Sequence, residues 1–212
     1  MKIVPVSKAT LGRLPLYLNF LRKLSPDKVP YISATTISKE LNLGEVQVRK
    51  DLASISGAGK PRLGYTTEEL VEKLEDCLGY NELTDAVLVG AGKLGGALLQ
   101  YDGFERFGVR IKAAFDKNEQ TVNPNANPGI LPMSQFESFC RNNNIRIGII
   151  TVVEEAAQDI CNQMIGSGIT AIWNFAPCKL KVPEGIHVQN ENLALSLAHP
   201  SNQLSRSLKS AE

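Results

Sequence analysis

Apolar positions follow two different rhythms along this chain, helical at the start and strand-like further on. Leu11, Leu14, Leu18, Leu21 and Leu24 recur at helical spacing across Ser7 to Leu24, so the pattern predicts an amphipathic first helix interrupted at Pro15. Ser33-Ala34-Thr35-Thr36 supplies N-cap chemistry before a short helix over Ile37 to Leu41, and Asn42-Leu43-Gly44 reads as a turn. A third helix, Glu45 to Ile55, would place Val46, Val48, Leu52 and Ile55 inward and leave Gln47, Arg49, Lys50 and Ser54 outside. Gly57 to Tyr65 is a Gly-rich basic hairpin, and a helix from Thr67 to Leu78, capped by Thr66 or Thr67, bridges to the second half. There the rhythm changes. Ala86-Val87-Leu88-Val89, Val109 to Phe115, Arg146 to Val152, Thr170 to Phe175 and Ile186 to Gln189 are short strands, several of them apolar on both faces as parallel strands are. Asn123 to Gly129 reads as a turn-rich loop, and Glu154 to Ser167 as a helix.

The fold class expected is therefore α/β. An N-terminal winged helix-turn-helix domain over 1–80 precedes a Rossmann-type, doubly wound parallel sheet over 81–190, with a tail over 191–212. The 212 residues suffice for two modest domains. Charge divides the chain at the same place. Residues 1–65 carry 11 Lys and Arg against 4 Asp and Glu, whereas residues 66–212 carry 12 against 18. A basic half of this kind fits a polyanion, here double-stranded DNA, with Gln47, Arg49, Lys50 and Ser54 on the groove-reading helix and Lys60 and Arg62 in the wing. No run of 18 apolar residues and no apolar leader is present, so a cytoplasmic protein without a membrane partner is expected. Cys77, Cys140, Cys161 and Cys178 lack metal-ligand spacing, and no metal is expected.

Gly90-Ala91-Gly92-Lys93-Leu94-Gly95 carries the most specific chemistry, because it follows one strand and opens a helix-like stretch over Gly96 to Tyr101. Gly90 permits the tight turn, Gly92 lets the backbone approach a pyrophosphate, and Gly95 allows close packing of helix on strand. Asp116 ends the next strand, 21 residues after Gly95, where a carboxylate suits a ribose 2′-hydroxyl and repels a 2′-phosphate. NAD, as NADH and NAD+, is the cofactor this favours. Thr151, Val152, Asn174, Phe175 and Ala176 fall at the carboxyl ends of later strands, where ligands of such sheets lie, and are candidates for the nicotinamide side. Hydride chemistry would require a proton donor, usually His, and only His187 and His199 exist, one in a strand and one before Pro200. No catalytic residue is assigned. A sensor needs none, since it exploits the difference in binding between oxidised and reduced cofactor. A dehydrogenase-like enzyme with an accessory helical domain is the alternative, and a nucleotide-sensing scaffold without a DNA role a weaker third.

Gln47-Val48-Arg49-Lys50-Asp51-Leu52, the Gly-Lys-x-Arg-x-Gly-Tyr wing, the glycine motif, Tyr101-Asp102-Gly103-Phe104 and Asn174-Phe175-Ala176-Pro177 occur in one order. Together they resemble the Rex family of redox-sensing transcriptional repressors, over about residues 7 to 193. The resemblance implies a homodimer that holds palindromic operators when apo or NAD+-bound and releases them when NADH binds. It also implies a switch in which an Asp on an exchanged C-terminal helix pairs with an Arg of the first helix in one state and with the Tyr of the YxGF motif in the other. Tyr101 is retained, but the Asp position falls at Asn192 and the Arg position at Asn19, so both halves of the ion pair are replaced. Pro200 is expected to shorten or kink the last helix before the Ser-rich end around Ser205 to Ser207.

Overall fold

A computed structural model describes residues 6–24, 28–198 and 200–201. The chain divides into two units, Met1–Glu82 and Leu83–Glu212, each with its own core.

In the first unit the expected opening helix is two: α1 (Lys8–Leu11) and α2 (Leu14–Leu21), with Pro15 in the first turn of α2. Proline has no N–H to give, and at the first turn none is needed, so Pro15 starts a helix instead of bending one. Strand β1 (Tyr31–Ile32) leads into α3 (Ala34–Glu40), whose N-cap Ser33 accepts from Thr36 N as its position in the sequence suggests. Asn42, at φ 51, turns the chain into α4 (Glu45–Ser56). Next, β2 (Tyr65–Thr66) pairs antiparallel with β1, and α5 (Thr67–Leu78) follows. Thr66 holds the N-cap position without a side-chain cap bond, while the Thr67 hydroxyl donates to Val29 O at 2.6 Å. The first turn of α5 thus relies on Glu68 and Glu69 for favourable charge. Tyr17, Leu18, Ile37, Val48, Leu52, Leu70 and Leu74 are wholly buried where α2 to α5 meet. Truncating one such leucine to alanine costs about 2–5 kcal/mol.

Val46 corrects the expected inward face of α4. It is 67% exposed, because at 100° per residue it lies nearly opposite Val48, Leu52 and Ile55. Asp51 occupies the buried face instead.

The second unit is one six-stranded sheet. Its elements are β3 (Thr84–Val89), α6 (Lys93–Leu99), β4 (Val109–Asp116), β5 (Gly129–Pro132), α7 (Phe136–Asn142), β6 (Ile147–Ile150), α8 (Glu154–Gly166), β7 (Ala171–Asn174) and β8 (His187–Asn190). Every pairing is parallel, in the spatial order β5-β4-β3-β6-β7-β8. Numbered from β3 this is 3-2-1-4-5-6, the Rossmann order, with its topological switch between β3 and β6. Two expectations are corrected. The helix after the glycines begins at Lys93, not Gly96, and Gly129, read as the end of a loop, opens β5, an edge strand on β4. Gly129-Ile130-Leu131-Pro132 is too short and too proline-flanked to show a strand period, and its pairing with β4 is what makes it one.

One face of the sheet is sealed by α7 and α8, with Phe115, Phe136, Met164 and Ile172 fully or almost fully buried. On the other, Leu88, Ala114 and Ile149 are buried, but Leu98, Ile111, Ile130, Trp173 and Phe175 are only partly covered. Helix at 193–198 and 200–201 carries Leu193, Leu195 and Leu197 exposed at 57%, 60% and 73%. The Ser205 to Ser207 stretch lies outside the described residues, as does His199.

Candidate functional sites: a groove-reading helix and a dinucleotide crevice

The candidate DNA face is built on α4. Gln47, Arg49 and Lys50 are exposed on it and Ser54 is half-buried, with the Ser54 hydroxyl donating to Asp51 O at 2.6 Å. Arg49 pairs with Glu45 one turn earlier. What holds α4 in place was not visible in the sequence. Asp51, 4% exposed, points back toward α1 and α2 and accepts from Arg13 Nε at 2.7 Å and Nη2 at 2.9 Å, from the Tyr17 hydroxyl at 2.7 Å, and from the Thr10 hydroxyl at 3.0 Å. Burial alone would push this carboxyl up, but the bonds from Arg13, Tyr17 and Thr10 outweigh it and hold the pKa below 3.8. Burial, then the bond to Asp51, pushes the Tyr17 phenol up to about 12. The Asp51 bond raises the Arg13 guanidinium further above its ordinary value. An acidic residue inside a helix whose neighbours are Arg49 and Lys50 was the available signal.

The wing is a short hairpin. Lys60 N donates to Gly64 O at 2.6 Å and Gly64 N to Lys60 O at 2.9 Å, which leaves Pro61, Arg62 and Leu63 exposed at its tip. Gly64, at φ +86, lies so close to Ile32 that a Cβ would meet its carbonyl oxygen at 2.2 Å, so the base of the wing requires glycine. Lys60 sits 5.7 Å from the centre of the half-exposed Tyr31 ring.

The second site lies where β3 and β6 diverge. Gly90 turns at φ +102, and a Cβ there would stand 2.9 Å from the Thr151 backbone and from Val152 Cγ1. Thr151 closes the crevice from β6: its N–H donates to Val89 O at 3.0 Å and its hydroxyl to Gly90 O at 2.7 Å. A Cβ on Gly95 would lie 2.0 Å from Gly90 O, the close helix-to-strand packing its position predicts. Around Gly92, by contrast, a Cβ would meet nothing within 4 Å, and Gly92 caps α6 without a side-chain bond. That combination leaves open space in front of the first N–H groups of α6, which a pyrophosphate fits. Lys93 is exposed beside it, Leu94 half-buried and Ala91 buried. Asp116 Oδ2 accepts from Ala91 N at 2.8 Å and Oδ1 from Asn118 N at 2.9 Å, so the carboxylate braces the glycine turn and keeps lone pairs free for a ribose.

The nicotinamide-side candidates divide. Thr151, Val152 and Phe175 are partly accessible, whereas Asn174 is wholly buried. Its amide donates to Cys178 O at 3.0 Å and Asn190 Oδ1 at 2.9 Å, and its oxygen accepts from Ala176 N at 3.0 Å. Asn174 therefore shapes the 174–178 turn, with Ala176 buried inside it, and its side chain is wholly buried. An aromatic chain that no spacing in the sequence foretells runs nearby: Tyr101 edge-on to Phe104 at 4.9 Å, Phe104 to Trp173 at 5.7 Å, and Trp173 to Phe175 at 4.4 Å. The Tyr101 ring, 58% exposed, lies across Gly103, where a Cβ would meet Cζ at 2.2 Å. Asn19 is exposed on α2, and Asn192 caps the last helix by accepting from Leu195 N at 2.9 Å.

Burial raises all four thiol pKa values, Cys140 to about 11, which keeps them protonated. Among the described residues no three His, Cys, Asp or Glu side chains cluster as metal ligands, and no helix is long and apolar enough to cross a membrane.

A winged helix-turn-helix unit followed by a dinucleotide-binding unit defines a class, the nucleotide-responsive DNA-binding proteins. Residues 5–53 match the family model of a putative DNA-binding protein N-terminus, and residues 81–178 that of a CoA binding domain, whose ligand shares an ADP-pyrophosphate with NAD. The redox-sensing transcriptional repressor Rex of Bacteroides thetaiotaomicron is 41% identical over 202 residues, covering 94% of this chain and 91% of that protein. Its counterpart in Treponema denticola is 39% identical over 190 residues, covering 89% and 90%. Among solved structures, RSP with beta-NAD+ and operator DNA matches at TM-score 0.87 and 33% identity, covering 97% of this chain and 98% of that one. RSP with beta-NADH matches at 0.82, also at 33% identity, covering 98% and 99%. This chain belongs to the Rex family of redox-sensing transcriptional repressors. The relatives are named as repressors, which sets aside the dehydrogenase-like alternative.

Proposed function

We propose that this protein represses transcription by binding double-stranded operator DNA through α4 and the 57–65 wing, and that NADH bound at Gly90 to Gly95 makes it let go. The supporting observation is the pairing, in one chain, of an α4 whose outer face is basic and unburied with a crevice whose open space at Gly92 and carboxylate at Asp116 suit NAD. Residues 1–80 form the DNA module, 81–190 the cofactor module, and 191–212 the tail. Gly90, Ala91, Gly92, Lys93, Leu94 and Gly95 cradle the pyrophosphate through backbone and shape, while Asp116 takes the ribose and excludes NADP(H). Thr151, Val152 and Phe175 border the nicotinamide, with Asn174 and Ala176 fixing the turn behind them. Gln47, Arg49, Lys50 and Ser54 face the groove, and Lys60 and Arg62 reach phosphates. Oxidised and reduced cofactor differ at the nicotinamide ring in charge and planarity, and no chemistry is needed for that difference to bias two conformations.

The working form is a homodimer in the cytoplasm. Its support is the half-covered sheet face at Leu98, Ile111 and Trp173, together with the exposed leucines of the last helix, which a second copy would cover. Tyr101, Asn19 and Asn192 form the weakened switch: two amides can share hydrogen bonds but not an ion pair. A gel-shift with operator DNA, with and without NADH, tests the whole reading. Retardation abolished by NADH and untouched by NAD+ is expected, and binding indifferent to both would overturn it.

A further inference from the structure

Strand β7 alternates its faces, so Trp173 and Phe175 share the side away from the buried Ile172 and Asn174. There the Trp173 indole touches three elements at once. Its ring lies 4.4 Å from that of Phe175, tilted by 57°, and 5.7 Å from that of Phe104, which it meets edge-on. Phe104 in turn meets Tyr101 edge-on at 4.9 Å. The indole Nε1 donates at 3.2 Å to Glu191 Oε1, which also accepts from Gln189 Nε2 at 3.3 Å, and the Glu191 N–H donates to Asn174 O at 2.8 Å. The next residue, Asn192, caps the last helix. One side chain therefore reaches the Phe175 edge of the crevice, the turn that carries Tyr101, and the foot of the last helix.

Trp173, Phe104 and Phe175 are only partly buried, and a cavity of about 290 Å³ bordered by Leu98, Tyr101, Phe104 and Ile111 gives the Phe104 ring room to shift. Rings in contact at 4.4 Å do not move independently, so a displacement of Phe175 displaces the indole. The reduced nicotinamide is neutral and can lie against an apolar ring. The oxidised one carries a charge whose hydration is lost there, and that loss outweighs the attraction of a cation for a ring face. NADH therefore presses on Phe175 as NAD+ does not. We infer that Trp173 is a positioning residue of the redox response, which passes the state of the nicotinamide to both switch residues of its own chain, to Tyr101 through Phe104 and to Asn192 through Glu191. The inference rests on the placement of the nicotinamide beside Phe175.

The test measures operator affinity of the full-length protein with and without saturating NADH, and NADH affinity of the free protein by calorimetry. The ratio of the two operator affinities is the coupling factor. Glu191→Ala removes the acceptor of the indole bond, Phe104→Leu breaks the ring path to Tyr101, and Trp173→Phe loses the N–H and part of the ring's reach. Glu191→Ala and Phe104→Leu should each lower the coupling factor at least about twofold, and Trp173→Phe at least as far as Glu191→Ala. Operator affinity without NADH and NADH affinity of the free protein should stay within about twofold of the parent. Because Trp173 also lies on the face assigned to a second copy, the first of these reports whether the dimer persists. The Glu191→Ala and Trp173→Phe changes remove one and the same bond, so the double variant should lose no more coupling than Trp173→Phe alone. A residue that merely packs would lower the urea midpoint or weaken NADH binding and leave the factor as it was. That result, an unchanged factor in Glu191→Ala or Phe104→Leu, or additive losses in the double variant would each overturn the inference. Should Trp173→Phe not fold, Glu191→Ala and Phe104→Leu decide. Variants coupled as fully as a coupled parent sink the inference and leave release by NADH standing; a parent that binds NADH and shows no coupling sinks both.

Discussion

At the scale of single residues, two carboxylates have structural roles that their neighbours' charges conceal. Asp51 ties α4 to α1 and α2, and its pKa is held below the unfolded value of 3.8. Stability from this group is therefore fully present above about pH 4 and is lost as pH falls through the folded value. Tyr17 acts at the other limit: raised from 10.0 to about 12, it adds stability below pH 10 that disappears as pH rises through 12. Urea unfolding of the parent and of Asp51→Asn should show a gap that is constant from pH 7 to about 5 and closes below pH 4. A gap unchanged at pH 3 would mean that the carboxylate's charge contributes nothing. Asp116 is held differently, gripping the Ala91 N–H at 2.8 Å, so Asp116→Ala should both loosen the glycine turn and remove the ribose partner. Calorimetry should show NADH binding weakened and the margin over NADPH narrowed. A parent protein that binds NADPH as tightly as NADH would contradict the assigned role.

At the scale of elements, the wing and α4 should fail in different ways. Lys60 and Arg62 flank an exposed hairpin tip and fit phosphates, and a cation that no longer neutralises a phosphate lowers the slope of log affinity against log salt by about 0.9. Replacing either by alanine should reduce that slope with little change in base preference, whereas Lys50→Ala should cost about 1–3 kcal/mol mainly on the cognate sequence. A slope unaltered in the wing variants would remove them from the interface. How far such elements could be read in advance depended on which force defines them. The parallel strands β3, β4 and β6 announce themselves because both of their faces are buried, and the glycines of 90–95 because the turn tolerates nothing else. β5 did not, since its four residues gain strand character only by pairing with β4. Nor did the inner face of α4, where the helix sets its rotation by a buried Asp51 and turns Val46 outward, a choice that depends on Arg13 and Tyr17 some 34 to 38 residues away. Similarly, Asn174 stands where the strand ends predict a ligand partner, yet its bonds to Ala176, Cys178 and Asn190 are a matter of tertiary placement that spacing does not show.

At the scale of the whole molecule, the question is how strongly cofactor and operator oppose one another. A ligand shifts an equilibrium only by its difference in affinity for the two states, and the resulting coupling is reciprocal. If NADH lowers operator affinity by some factor, operator must lower NADH affinity by the same factor, typically 5-fold to 150-fold. Two features set where this protein should fall in that range. Tyr101, 58% exposed over Gly103, is placed to engage another surface, while Asn19 and Asn192 stand where the resemblance places an Arg and an Asp. Asn192 already uses its side-chain oxygen as a helix cap for Leu195 N, and it carries no charge to give a partner. A latch of neutral hydrogen bonds is weaker than a charge-assisted one, and coupling at the low end, about 5-fold to 10-fold, is expected. Because no ion pair is at stake, that coupling should change little between about 50 and 300 mM salt once the salt dependence of DNA binding itself is divided out. Tyr101→Phe should reduce it further without altering operator affinity in the absence of NADH. The measurement is operator affinity across an NADH titration, repeated at two salt concentrations and matched by calorimetry of NADH with operator present. A flat titration with NADH shown to be bound would mean that this member keeps both sites and has lost the communication between them, whereas unequal factors in the two directions would show that more than two states take part.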